Sequence, residues 1–389
     1  MQYRLCDDTW DCAEKRAISR VVGTNRFTMG EEVERYEKEF AEKFRVRHAV
    51  MASSGSAANL LAVAALVYSG RLKSGDEVLV TAVSWSTTYF PLYQMGLKIR
   101  FLDIDKETLN IDAGLLEAAV TPATKMVLAV NLLGNPNDFE QITAVCRKKG
   151  LLLLEDNCES LGGEYKGKKL GTFGVIGTFS TFYSHHLCTM EGGVAVTDDL
   201  ELYHCMRVIR AHGWTRDLPA DSPLYQKSQD PFYESYHFIL PGFNLRPIEI
   251  EAAVGREQLK KMDGIIAARR ENAAYFKEKM AGLRGMRLQK ETGCSSWFGF
   301  AVVLENGFCG KRDAVVKRLE KAGVEVRPVV AGNFTKNRAV EFLDYSIFGS
   351  LKGADDVHEN GFFVGNHGKA DRSGIDYLTV CIRKILNEV

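Results

Sequence analysis

Two periods of apolar residues alternate along this chain. Helical spacing runs over residues 11–22, with Ala13, Ala17, Ile18 and Val21 on one face, and again over 31–44, with Val33, Tyr36, Phe40 and Phe44. Phe27-Thr-Met-Gly30 is a turn between them. Short apolar runs follow at 49–52, 77–81, 99–103, 126–131, 151–155, 176–181 and 193–197. Helical patterns separate most of them: one opens at Ser53-Ser-Gly-Ser56 and runs to about Tyr68, and others cover 85–94, 113–120 and 139–149. Strands that are apolar on both faces and alternate with helices predict an α/β fold, with a mostly parallel seven-stranded sheet between helices.

The pattern then changes. After a helix at 200–211, residues 212–244 are rich in aromatics and proline without a clear period. A loop of that length in a compact domain is usually functional or at an interface. Residues 247–283 read as a long helix that bridges to a smaller C-terminal α/β unit. That unit has strands expected at 286–289, 298–304 and 324–327, a helix at 311–322, and a last helix at 375–387. We therefore expect a large domain over 1–246 and a smaller one over 247–389.

Composition narrows the function classes. The chain has 389 residues, 46% hydrophobic and 26% charged, as in ordinary globular proteins. Fifty basic residues balance fifty acidic ones, which gives no support to nucleic-acid binding. The most apolar helix, 60–68, is too short to span a membrane. The start of the chain is no signal peptide. The nine cysteines are scattered without CxxC spacing, so free thiols in the cytoplasm are expected, with no metal site and no iron–sulfur cluster.

Four places could carry chemistry. Gly55-Ser56 opens a helix after a strand, which suits an anion, although a serine N-cap alone would explain it. Glu155-Asp156-Asn157 ends a strand of four leucines, where doubly wound folds place ligand contacts; an Asp there also serves often as a cap. His185 and His186 are adjacent, so in extended chain they point to opposite sides and at most one faces a site. A neutral histidine suits a general base near pH 7, yet a lone histidine more often simply packs. Glu191-Gly-Gly193 begins the next strand.

Taken in order, Gly55-Ser56, Trp85, Asp156, Glu159, Ser180, His185 and Asn244 resemble the cofactor pocket of the fold type I, aspartate-aminotransferase-like, sugar aminotransferase/dehydratase family, which uses pyridoxal 5′-phosphate (PLP). The resemblance extends from Phe27-Thr-Met-Gly30 into the C-terminal part. It implies that Gly55, Ser56 and Ser180 hold the phosphate, that Trp85 stacks on the pyridine ring, and that Asp156 pairs with the ring nitrogen. It also implies that Asn244, in Gly242-Phe-Asn-Leu-Arg246, reaches the phosphate of a partner subunit, making a homodimer with shared sites.

Two departures point to a branch of that family. Its aminotransferases carry PLP covalently on a lysine six residues before the Glu of Glu-Gly-Gly; here that position is His185. Glu159 stands where they usually have Gln. With Ser84-Trp-Ser-Thr-Thr88, Tyr183-Ser-His-His186, Arg210-Ala-His-Gly-Trp214 and Leu240-Pro-Gly-Phe-Asn244, the chain is similar to the lysine-lacking 3-dehydratases. The resemblance implies removal of the C3 hydroxyl from GDP-4-keto-6-deoxy-D-mannose on the route to GDP-colitose. It implies L-glutamate as amine donor, a pyridoxamine 5′-phosphate form of the cofactor, and release of ammonia. His212 is implied as a second active-site histidine near the cofactor's phenolic oxygen, and Arg216 as a substrate contact. Glu159 is open between contacting the ring oxygen and capping a turn.

A lysine in a transaminase tethers the cofactor, moves a proton, and displaces product as an attacking amine. An imidazole can only move the proton. The expectation is therefore dehydration with His185 as base. The alternatives are an aminotransferase acting at C4 that has replaced its lysine, and a non-catalytic protein of the same fold.

Overall fold

The computed structural model describes residues 2–388. Its first helix, Cys12–Thr24, starts in a capping box in which Asp11 and Glu14 satisfy each other's backbone N–H groups. The helix Glu31–Phe44 packs Tyr36, Phe40 and Phe44 inward, as its period demands.

The strands are β1 His48–Ala52, β2 Glu77–Thr81, β3 Lys98–Leu102, β4 Thr124–Val130, β5 Leu152–Asp156, β6 Glu164–Tyr165, β7 Lys168–Lys169, β8 Ile176–Ser180, β9 Gly193–Thr197, β10 Met286–Leu288, β11 Gly299–Leu304, β12 Val326–Arg327, β13 Tyr345–Ile347 and β14 Gly361–Gly365. The large sheet has the order β1-β9-β8-β5-β4-β2-β3-β13. All neighbours in it are parallel except those on either side of β9. The seven expected strands are all present, and β13, far along the chain, adds an eighth at the edge beside β3. β2, β8 and β9 are buried along their whole length, because helices cover both faces.

The long helix is Glu249–Met280, and it leads to a second, antiparallel sheet of order β10-β11-β14-β12. Phe276 of the helix stacks on Phe300 of β11 at 4.2 Å. Two segments cross the division expected at 246/247. Tyr3 bridges to Val324 and packs in the core of the second sheet, and β13 joins the first. The expected loop at 212–244 contains one short helix, Pro231–Glu234.

Candidate active site

The carboxyl ends of β5 and β8 and the start of the helix Gly55–Tyr68 open on one cavity of about 1050 Å³. Ser54 caps that helix, its Oγ accepting from Ala57 N at 3.0 Å. Ser56 is thereby freed from capping, and the first-turn N–H groups have no intrahelical acceptor. Gly55 is required here. A Cβ on it would lie 2.5 Å from Ser180 Cβ. The backbone of 54–56 and Ser180 therefore form one close-set polar cradle at a positive helix end, suited to a phosphate.

Alternation along β5 separates the three polar residues at its end. Glu155 turns away and is fully buried, accepting from the N–H groups of Gly171, Phe173 and Gly174. Burial pushes its carboxyl up to about 7. Asp156 lines the cavity. Its Oδ2 accepts from Asn59 Nδ2 at 2.9 Å and from Thr88 Oγ1 at 2.8 Å, and its Oδ1 from Cys158 N at 3.1 Å. Ser84 Oγ in turn sits 2.8 Å from Thr88 Oγ1. Sequence reasoning passed over Asn59 and Thr88.

Glu159 also lines the cavity, its Oε2 accepting from Leu133 N at 3.0 Å. Burial raises its carboxyl to about 7; the Leu133 N–H works against this rise and the Asp156 charge adds to it. Trp85 leads into the helix Ser86–Gln94 from the cavity rim, with 55% of its surface exposed, a broad apolar face without a cover.

After β8 the chain turns sharply, with His185 N donating to Phe182 O at 2.8 Å. His185 lines the cavity between the edges of Phe182 and Phe298, at ring distances of 5.7 and 5.1 Å. Burial, helped by the Arg269 charge, lowers it to about 3, so it is neutral. Its Nδ1 is buried without a partner. His186 points the other way, fully buried, with Nε2 3.1 Å from Ser296 O. It is a packing residue, as the opposite-sides argument requires for one of the two.

The other three expected residues are not in this cavity's wall. His212, Arg216 and Asn244 belong to two crossing turns. His212, at φ +64°, donates its N–H to Phe243 O at 2.7 Å, and Ala211 bridges to Asn244. The crossing needs Gly213, because a Cβ there would lie 1.7 Å from Leu240 O. Asn244 Oδ1 accepts from Arg246 Nε at 3.0 Å, and Arg216 stacks on Trp214 at 5.1 Å.

The cavity's donor set fits a flat, phosphate-bearing pyridine: a phosphate cradle, a carboxylate fixed by three donors, an open indole face and an orphaned imidazole nitrogen. Among the described residues no group of three or more His, Cys, Asp or Glu could hold a metal.

A profile of the DegT/DnrJ/EryC1/StrS aminotransferase family matches residues 9–382. The chain is 54% identical over 371 residues to GDP-4-keto-6-deoxy-D-mannose 3-dehydratase of Yersinia pseudotuberculosis, covering 94% of each protein. It is similar, with a TM-score of 0.96 and 50% identity, to E. coli GDP-4-keto-6-deoxy-D-mannose-3-dehydratase with bound hydrated PLP, over 98% of this chain and 99% of that one. A GDP-4-keto-6-deoxymannose-3-dehydratase with a trapped PLP-glutamate geminal diamine matches with the same score and identity, over 98% of this chain and 100% of that one.

Proposed function

The chain belongs to the DegT/DnrJ/EryC1/StrS aminotransferase family, and on that premise we propose that it removes the C3 hydroxyl of GDP-4-keto-6-deoxy-D-mannose, using PLP and L-glutamate. One observation carries this reading: His185 stands in the cavity wall, and no lysine among the described residues lines it. Proton transfer is possible there, while a covalent tether and an attacking amine are not.

Gly55, Ser56 and Ser180 hold the phosphate, Asp156 the ring nitrogen, and Trp85 a ring face. When bound, the cofactor would supply an amine carrier between glutamate and C4 of the sugar, and an electron sink. His185, neutral and orphaned at Nδ1, accepts the proton whose loss lets the C3 hydroxyl depart, and can return it to that oxygen. Glu159, neutral below about 7, offers an O–H toward the cofactor's ring oxygen. The two electrons given up at the α-carbon of glutamate reduce C3, and the nitrogen leaves as ammonia. No other oxidant or reductant is needed.

The site is completed, in this reading, by a second copy of the chain. Asn244 would reach the neighbouring phosphate, with His212 and Arg216 beside it, since none of the three lines its own subunit's cavity. The same segment leaves Phe232 88% and Tyr236 75% exposed, as an uncovered interface would. A cytoplasmic setting agrees with nine free cysteines.

The test follows the nitrogen. Protein, PLP, amine-labelled L-glutamate and GDP-4-keto-6-deoxy-D-mannose are incubated together, and the label is located. Label in free ammonia, with a sugar lighter by one oxygen, is the expected result. Label retained in the sugar overturns the reading in favour of amino transfer at C4.

A further inference from the structure

The turn at Ser296–Phe298 touches both sides of the site. Trp297 sits at φ +47° and Leu133 at φ +52°, left-handed conformations that strain a non-glycine residue. The two strained segments are locked together. Ser296 N donates to Gly134 O at 3.0 Å and Phe298 N to Leu133 O at 2.9 Å. Gly134 lies at φ +93°, and a Cβ on it would be 2.6 Å from Trp297 N. Leu133 N is the donor to Glu159, and the Phe298 ring is the edge that meets His185.

Arg269 holds this turn. It lies in the long helix Glu249–Met280 and is 1% exposed. Its Nη1 donates to Phe298 O at 3.1 Å, Asn366 O at 2.9 Å and Trp297 O at 3.4 Å. Asn366 Nδ2 closes the ring by donating to Arg269 O at 3.0 Å and Trp297 O at 2.8 Å. Among the described residues no carboxylate lies within ion-pairing distance of Arg269, and its Nε is buried without a partner. A buried guanidinium whose hydrogen bonds go only to carbonyls is a costly way to hold a turn, since an apolar side chain would pack there more cheaply.

We propose that Arg269 is a positioning residue for the reaction: through the 296–298 turn it fixes the His185 imidazole and the Glu159 carboxyl relative to each other. Its charge also keeps protons off His185 and His186, adding to burial. Tyr3, Cys6 and Asp7 face Arg269 from the N-terminal segment, and Arg270 faces His186 from the same helix. Asp156, Glu159, Glu191, Glu325, Arg4 and Arg327 line the other walls of the cavity.

The decisive experiment titrates His185 in the cofactor-free protein by NMR, the signal being assigned by its loss in His185→Asn. Wild-type His185 stays neutral well below pH 5. In Arg269→Gln its midpoint climbs by a unit or more toward the ordinary value of about 6.5. In the loaded enzyme kcat for dehydration falls about tenfold to a hundredfold with KM nearly unchanged. Arg269→Lys, which keeps the charge but not the fork, restores the titration more than kcat. A merely structural role would lower Tm and leave the titration of the folded protein where it was, and that result overturns the proposal. If Arg269→Gln does not fold, Arg269→Met decides: an apolar side chain packs in that place, the fork and the charge are both gone, and an unmoved His185 titration again overturns the proposal. The kinetic arm rests on the dehydratase reading. The titration does not, so failure of the sugar assignment and failure of this inference are told apart.

Discussion

Asn59 Nδ2 donates to Asp156 Oδ2 at 2.9 Å, across the gap between the helix Gly55–Tyr68 and the end of β5. Thr88 Oγ1 reaches the same oxygen at 2.8 Å. A buried carboxylate with its lone pairs already committed cannot rotate, so its free edge is aimed before any ligand arrives. Asn59→Leu or Thr88→Val leaves the carboxylate short of a donor, a loss of about 1–3 kcal/mol. We expect PLP to bind about tenfold to a hundredfold more weakly in either variant, as read by titration of the cofactor's absorbance, with the fold intact by circular dichroism.

His185 decides the outcome of the reaction. His185→Asn removes the base, and both the glutamate-dependent amination of the cofactor and sugar dehydration should slow by about a hundredfold or more. His185→Lys puts a primary amine in the cavity wall. The cofactor should then bind covalently, seen as a shifted absorbance that borohydride makes permanent, and dehydration should be impaired. A His185→Lys protein that dehydrates at the wild-type rate would refute the account of the missing lysine.

Much of this was legible in the sequence, and the limits have physical causes. All seven central strands announced themselves because strands buried on both faces must be apolar throughout. β13 did not, since three residues give too little period to read, and β14 did not, since its apolar run is only Phe362–Val364 between two glycines. Asn59 left a faint signal as the one amide in an apolar helix, but its target lies 97 residues away. Leu133 and Phe298 carry no chemical signal at all, because one serves through its backbone N–H and the other through a ring edge. His212, Arg216 and Asn244 were expected from resemblance. A single subunit does not place them among the residues that line the cavity.

The pH dependence of stability separates two groups of the site. Glu159 is raised to about 7 in the folded protein against an ordinary value near 4.5. Its contribution is full below 4.5 and is lost as pH rises through 7. His185 is depressed to about 3 against 6.5. Its contribution is full above 6.5 and is lost as pH falls toward 3. In cofactor-free protein, Glu159→Gln should therefore raise Tm relative to wild type at pH 8 and not at pH 5. His185→Asn should raise it at pH 5 relative to its effect at pH 8. Thermal melts at the two pH values check both signs, and equal shifts at both would contradict the assigned protonation states.

Shared sites make a prediction that no single-subunit account makes. If Asn244 serves the neighbouring phosphate, His185→Asn and Asn244→Ala damage different sites when they occur on different subunits. In a hybrid dimer of the two variants, one site collects both lesions and the other collects neither. Subunits mixed in equal amounts and allowed to reassort at random would give half hybrids, each with one intact site, so activity should return to about a quarter of wild type. Each variant alone should stay nearly inactive. If Asn244 served its own subunit's site, every site in every combination would carry a lesion and mixing would restore nothing. The experiment therefore reads the location of Asn244 directly, and a mixture as inactive as its components would remove the shared-site part of the proposed function while leaving the chemistry of His185 untouched.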